Sequence, residues 1–219
     1  MVTLKMAIIF LMEQIRTPFS LIWTIMSPTV LFFFLHFNEI ELHYGDTAWL
    51  GKQISWFVGY ISFSVVLFNY CLYLVGRRES GFIATFVHNM DGRLLFIRSQ
   101  LIASLIMSIL YVFFFILVVL TGFQASPDYQ IVMIILKSIY INAFMMVSLT
   151  FMASFRVTFQ TASTIYSVLI TVCMVSGIVS LKYNEGIVYW INQVNPIAIY
   201  STILQSDQEL SLMTIFFYS

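Results

Sequence analysis

Five long stretches of this chain carry almost nothing but apolar side chains, and polar residues gather in the shorter segments between them. The stretches are residues 18–37, 54–75, 101–121, 131–155 and 162–181. A helix needs about 20 apolar residues to cross the roughly 30 Å hydrocarbon core of a bilayer, so each stretch predicts a membrane span. A transmembrane barrel would show shorter segments of alternating polarity. Runs such as Val112-Phe113-Phe114-Phe115-Ile116 are apolar on every side and predict helix. The expected fold is all-α: a polytopic transmembrane helical bundle of five to six spans, forming one domain over residues 1–219.

The two ends of the chain break this pattern. In residues 1–16, Leu4, Ile8, Leu11 and Ile15 recur at helical spacing, with Lys5, Glu13 and Arg16 opposite. That spacing predicts an interfacial helix lying along the membrane surface. Pro18 suits the first turn of the next helix, where its missing N–H costs nothing. Residues 186–219 are apolar enough to enter the membrane but contain Asn192, Gln193, Asn195 and Pro196. The last apolar run, residues 210–218, is about 13 Å of helix and too short to span alone. Two arrangements stay open: residues 186–205 form a Pro-kinked sixth span, or a pair of short re-entrant segments before an incomplete final span.

Composition agrees with the pattern. The chain has 219 residues, of which 60% are hydrophobic and 9% charged. A soluble domain carries about 25% charged residues to cover its surface. Ten basic and ten acidic side chains give no net charge, which argues against a nucleic-acid partner. Cys71 and Cys173 lie in separate apolar runs and predict reduced thiols used in packing, with no disulfide and no metal site. No cleavable leader pattern precedes Glu13, so insertion is expected to rely on the first uncleaved span. Basic residues set orientation. With the N-terminus inside, Lys5, Arg16, Arg77, Arg78, Arg93, Arg98 and Arg156 face the cytoplasm, and Lys52 and Lys182 face out. The expected location is the cell membrane, multi-pass, N-terminus cytoplasmic.

The longest cytoplasmic loop, residues 76–100, is not simply hydrophilic. Phe82, Ile83, Phe86 and Val87 make one apolar stripe at helical spacing. Ser80 and Gly81 stand at its start, and Asp91-Gly92 supplies turn chemistry at its end. A short amphipathic helix here must lay its stripe on lipid or on a partner protein, and composition does not choose between them.

The order Arg78-Glu79-Ser80-Gly81, then Arg93, then a return into an apolar run at Leu101, resembles the permease subunits of type-2 ABC exporters. Those proteins carry an Arg-Glu-x-Gly, a short helix, a Pro break, an Arg and a new span starting near Gly-Lys. Here Met90 replaces the Pro, Phe82 replaces a common Thr, and Ser99-Gln100 replaces Gly-Lys. Asn195-Pro196-Ile197-Ala198-Ile199-Tyr200 is similar to the Asn-Pro-x-x-x-Tyr segment before the family's last span. The resemblance implies that residues 76–100 hold a cytoplasmic coupling helix that docks in a groove of an ABC ATPase subunit. It implies that role for Glu79, Gly81, Phe82, Ile83, Phe86 and Asn89, with a second contact around Glu13 and Arg16. It further implies a second permease subunit, the same chain or a related one. ATP and Mg would be bound by the ATPase, with no cofactor and no catalytic residue in this chain. The function expected is ATP-driven export of a hydrophobic or amphipathic substrate: a peptide, a lipid or a drug. The rival reading is a non-transporting membrane scaffold or receptor for a cytoplasmic partner.

Other constellations point to less. The segment from Gly45 to Gln53 has five residues between its glycines and Gln after Lys52, so it fails the phosphate-loop pattern. His36, His43, Glu39, Glu41 and Asp46 lack tight ligand spacing and predict solvated loop residues. Lys137 is the only charged residue within the five stretches. It predicts either a substrate contact or, the better account, an ammonium reaching the outer headgroups. Trp56, Tyr183, Tyr189 and Trp190 predict interface anchors.

Overall fold

A computed structural model describes residues 2–16, 18–82, 90–151, 155–180 and 185–206, with the backbone alone for 18–23. The described residues hold helices and turns and no strand. Helix α1 (Val2–Ile15) is followed by α2 (Pro18–Leu35) and a short 3-10 turn at Phe37–Glu39. Then come α3 (Thr47–Glu79), α4 (Met90–Gly122), α5 (Tyr129–Leu149) and α6 (Phe159–Ser180). Two short helices, α7 (Gly186–Gln193) and α8 (Pro196–Gln205), complete the described chain. Four helices, α3 to α6, are long and apolar enough to cross a membrane. The first of the five expected spans becomes α2, whose apolar stretch among the described residues is the shorter Thr24–Leu35.

Helix α3 is the axis of the bundle. Of its most apolar stretch 78% is buried inside the fold, against 28% for α6, which stands at the edge. Lipid tails are as apolar as Leu, so apolar side chains alone give helices no reason to associate; close packing and hydrogen bonds between helices do. Both are present. Phe32 of α2 meets Phe57 of α3 at 5.0 Å between ring centroids, and Phe115 and Phe123 at 5.8 and 5.9 Å, all edge to face. On another face of α3, Gly51, Ser55, Gly59 and Ser62 form a stripe of small residues at helical spacing, which lets α5 and α8 approach the backbone. Both cysteines are unpaired and buried in this packing.

Several expectations are revised. Helix α1 packs against the start of α4 through Ala7 and Phe10, with Met6 beside them, while Leu4, Ile8 and Ile15 face outward. Of the stripe read from the sequence, only Leu11 packs toward the core, and Leu4, Ile8 and Ile15 lie on the side away from the bundle. Nearly every side of α1 is apolar, so periodicity alone did not mark which side the protein covers. Asp91 and Gly92 do not make a turn; they lie in the first turn of α4, which begins at Met90. Asp suits that position because a carboxylate near a helix N-terminus meets the positive end of the macrodipole. The fourth stretch stops being α-helical at Leu149, short of residue 155. Residues 186–205 are not one kinked span. Helices α7 and α8 are separate, with a break at Val194 and Asn195, and at about 12 and 15 Å neither crosses a bilayer. Residues 207–219 lie outside the described residues.

Helix α8 runs antiparallel along the half of α3 that holds its N-terminus: its start lies against Gly59 and its end against Lys52. The closeness at Gly59 yields a test. A Cβ there would stand 3.0 Å from Tyr200 Cβ and 3.1 Å from the Ile197 carbonyl oxygen, so backbone has to move. Gly59→Ala is expected to destabilise the detergent-solubilised protein by about 1–3 kcal/mol. Gly51→Ala, whose nearest neighbour is 3.6 Å away, is expected to be neutral. Thermal unfolding followed by size-exclusion chromatography compares the two; equal melting temperatures would contradict the packing described.

Candidate functional site

Lys5, Arg16, Arg77, Arg78, Arg93, Arg98 and Arg156 all fall at one end of the bundle, with α1, the end of α3 and the start of α4 and α6. At this basic end α3 stops on Gly81, whose φ of +72° is a left-handed conformation that glycine adopts without steric cost. The Gly81 and Ser80 amides donate back to the carbonyls of Arg78 and Gly76, at 3.1 and 2.9 Å, and close the helix end.

The last turn of α3 then reaches outward in three directions. Arg77 forms an ion pair with Glu13 of α1. Tyr73 joins the pair, receiving a hydrogen bond from Arg77 and donating one to Glu13, each 2.7 Å. Arg78 donates from two guanidinium nitrogens to the carbonyls of Phe155 and Val157, the segment leading into α6. Glu79 accepts from the backbone N–H of Phe159, the first residue of α6. A carboxylate at a helix N-terminus satisfies an orphan amide and lies at the positive end of the macrodipole. Beneath these contacts, Phe10 packs on Tyr73 and Phe96 at 5.8 and 5.5 Å, and Phe82 meets Phe96 at 5.8 Å. The Arg77 guanidinium lies 5.1 Å from the Phe82 ring centroid. One helix end thus braces α1, α4 and α6 together.

Of the residues singled out in the sequence, Glu13, Glu79, Gly81 and Phe82 meet at this joint. Arg16 stands exposed in the turn after α1. Ile83, Phe86 and Asn89 lie outside the described residues. Sequence reasoning missed Tyr73 and the carbonyl clamp of Arg78. A tyrosine one helical turn before Arg77 was the available signal.

At the opposite end, side chains secure α7 and α8. Asn195 is buried; its Oδ1 accepts the Ile197 amide at 3.0 Å and caps α8, while its Nδ2 donates to the Cys173 carbonyl of α6 at 2.7 Å. Tyr200 donates to Asn142 Oδ1 at 3.0 Å, and Asn142 Nδ2 reaches Ser108 and Ser62 at 2.6 and 3.2 Å. All four are buried and tie α8, α5, α4 and α3 into one network. The spans are therefore less uniformly apolar inside than the single Lys137 suggested. Lys137 itself is 9% exposed and donates to the carbonyls of Leu204 and Ser206. The ammonium, expected to reach for headgroups, is engaged by the final carbonyls of α8 and caps that helix. The Trp56 ring packs where Gly177 of α6 leaves room. Trp190 is 71% exposed.

In the segment after α2, His43 stacks on Trp49 at 4.2 Å and lies 3.3 Å from Asp46. The Trp49 amide, with His43 beside it, holds the Asp46 carboxyl below the usual carboxylate range as Asp46 caps α3. Among the described residues no three His, Cys, Asp or Glu side chains are grouped to hold a metal ion. No family model matches the chain, and no solved structure matches it.

Two measurements check the geometry. Lys137→Met is expected to lower the melting temperature as much as Tyr200→Phe or more, each removing a buried hydrogen bond worth about 1–2 kcal/mol. A silent Lys137→Met would return the ammonium to the headgroups. At the joint, Glu13→Gln and Arg77→Gln in a double-mutant cycle are expected to couple by about 0.5–1 kcal/mol. The pair is half exposed, and solvent screens it. Additive effects would place α1 elsewhere.

Proposed function

We propose that this chain is the membrane subunit of an ATP-driven exporter of the type-2 ABC class. It would work with a second permease subunit and a cytoplasmic ABC ATPase that binds ATP and Mg. The observation that carries the reading is the joint at Arg77, Arg78, Glu79 and Gly81. These residues include the Arg-Glu-Ser-Gly motif on which the resemblance rests, and they link the root of the segment 83–89 to three other helices. A push on that segment is passed through these contacts into the bundle. Phe82 anchors the root against Phe96 and Arg77, and Ile83, Phe86 and Asn89 are the residues proposed to enter the ATPase groove.

In this reading the basic end faces the cytoplasm, α2 is the first span, and the chain sits in the cell membrane with its N-terminus inside. ATP binding draws the two ATPases together, and the bundles rock between inward and outward states. The polar side chains described above are turned inward. The outward faces of α5 and α6 carry Val132, Leu136, Phe144, Val168 and Val172, with Thr164, Ser167 and Thr171 among them bonded to their own helix backbone. A path between two such bundles suits a hydrophobic or amphipathic cargo.

The test separates docking from coupling. Ile83→Ala with Phe86→Ala is expected to lower ATPase recovery in pull-downs at matched expression about thirtyfold, as for loss of a buried anchor. Glu79→Gln is expected to retain the ATPase and lose ATP-driven export from vesicles, because α6 loses its cap. Equal recovery with unchanged export in both variants would remove the exporter reading.

A further inference from the structure

The middle of α3 is wound more widely than its ends. Residues Val65–Leu72 form a π-helix, flanked by α-helix on both sides. Such segments occur in few helices and concentrate at functional positions. Here the wide turn has a visible effect on hydrogen bonding. In an α-helix the Tyr73 amide would donate to the Asn69 carbonyl. As the helix tightens again after the wide turn, that amide donates to the Tyr70 carbonyl, three residues back. The Asn69 carbonyl accepts two side chains of α4: Gln100 Nε2 at 2.9 Å and Ser104 Oγ at 3.1 Å.

This arrangement is incomplete. Gln100 is fully buried, and its Oε1 has no hydrogen-bond partner among the described residues. The Asn69 side-chain Nδ2 donates to Tyr111 Oη only at 3.5 Å. An α-wound segment would reverse the account. Asn69 O would return to the Tyr73 amide, and the freed Ser104 hydroxyl, already 3.2 Å from the Gln100 amide group, could donate to Gln100 Oε1. Gln100 Nε2 would then keep its contact with Ser104 Oγ and give up the Asn69 carbonyl. The π winding leaves Gln100 Oε1 without a donor and the α winding takes the Asn69 carbonyl from Gln100, so each register holds a polar contact that the other lacks.

We propose that α3 is a two-register helix, switching between π and α winding at Val65–Leu72, with Gln100 and Ser104 as the residues that hold the π register. Everything beyond the segment turns with the switch, by roughly 100° for a shift of one residue at 3.6 residues per turn. That part of α3 carries Arg77, Arg78 and Glu79, so the contacts to Glu13, to the carbonyls of Phe155 and Val157, and to the Phe159 amide are made in one register and released in the other. The half of α3 packed on α8 stays fixed by Gly59 and Tyr200. The switch is a property of the fold and holds whatever the bundle moves.

The experiment measures register directly in the full chain, reconstituted in nanodiscs. Spin labels carried on a ketone-bearing amino acid at Ser80 and Leu94, which leaves Cys71 in place, report on the basic end. A pair at Ala48 and Leu117 serves as the fixed reference. All four positions are exposed. Pulsed dipolar spectroscopy is expected to give one main distance for Ser80–Leu94 in the wild type. Ser104→Ala should enrich a second distance about fivefold, the effect of losing one hydrogen bond. Gln100→Leu with Ser104→Ala should make that second distance the major one, while Ala48–Leu117 does not change. A single unshifted Ser80–Leu94 distance in Ser104→Ala overturns the proposal even where the double variant fails to fold. A shift that appears equally in both label pairs overturns it too, since that is loosening of the whole bundle.

Discussion

A helix that ends or widens inside an apolar phase cannot borrow hydrogen bonds from water, and each open amide or carbonyl there needs a partner from the protein itself. Much of this structure is organised by that requirement. Side chains reach from one helix to the unfinished backbone of another. Lys137 of α5 finishes α8, Asn195 holds the Cys173 carbonyl of α6, and Gln100 and Ser104 of α4 take the Asn69 carbonyl of α3. At the basic end, Glu79 starts α6 and Arg78 holds the carbonyls just before it. These bonds fix which helices are neighbours in a setting where apolar contact alone discriminates poorly.

The two ends of α3 use this device differently. At the N-terminal half the partners are buried and mutually satisfied, as in the Asn142, Ser62, Ser108 and Tyr200 network, and the small residues of α3 let α8 approach closely. That half reads as a fixed block. At the basic end the partners are charged, partly exposed and connected through long side chains, with Glu13 and Arg77 at 48% and 25% side-chain exposure. Such contacts are weaker individually and easier to remake. A stiff half and a remakeable half on one helix is the arrangement a lever needs.

How much of this was legible in the sequence depends on how local each signal is. The apolar runs located α3 to α6, because burial in lipid demands unbroken hydrophobicity over some 20 residues. The joint was half visible: Arg78, Glu79 and Gly81 sit together in the chain, and a Gly after a helical run is a recognisable stop. Asn195, Pro196 and Tyr200 were visible as a motif, though their placement as the start of a separate short helix was not. The partners were hidden by separation. Lys137 and Ser206 are 69 residues apart, and Asn142 and Ser62 are 80. A serine inside an apolar run gives no hint of whether it bonds its own backbone or another helix. The covered side of α1 was hidden for the opposite reason: apolar residues surround it, so periodicity marks no face. The wide turn in α3 leaves no periodic trace at all, since Val65 to Cys71 is apolar except at Asn69.

The edge position of α6 has a consequence for how the fold comes apart. Its contacts with the rest are a narrow line of Ala162, Tyr166, Ile170, Cys173 and Gly177, together with the clasps from Glu79 and Asn195 near its two ends. Stability in proteins is divided into cooperative units, and the unit with least buried contact opens first. Under load, α6 would loosen from the bundle first, while α3, α4, α5 and α8 hold together as the stiffer unit.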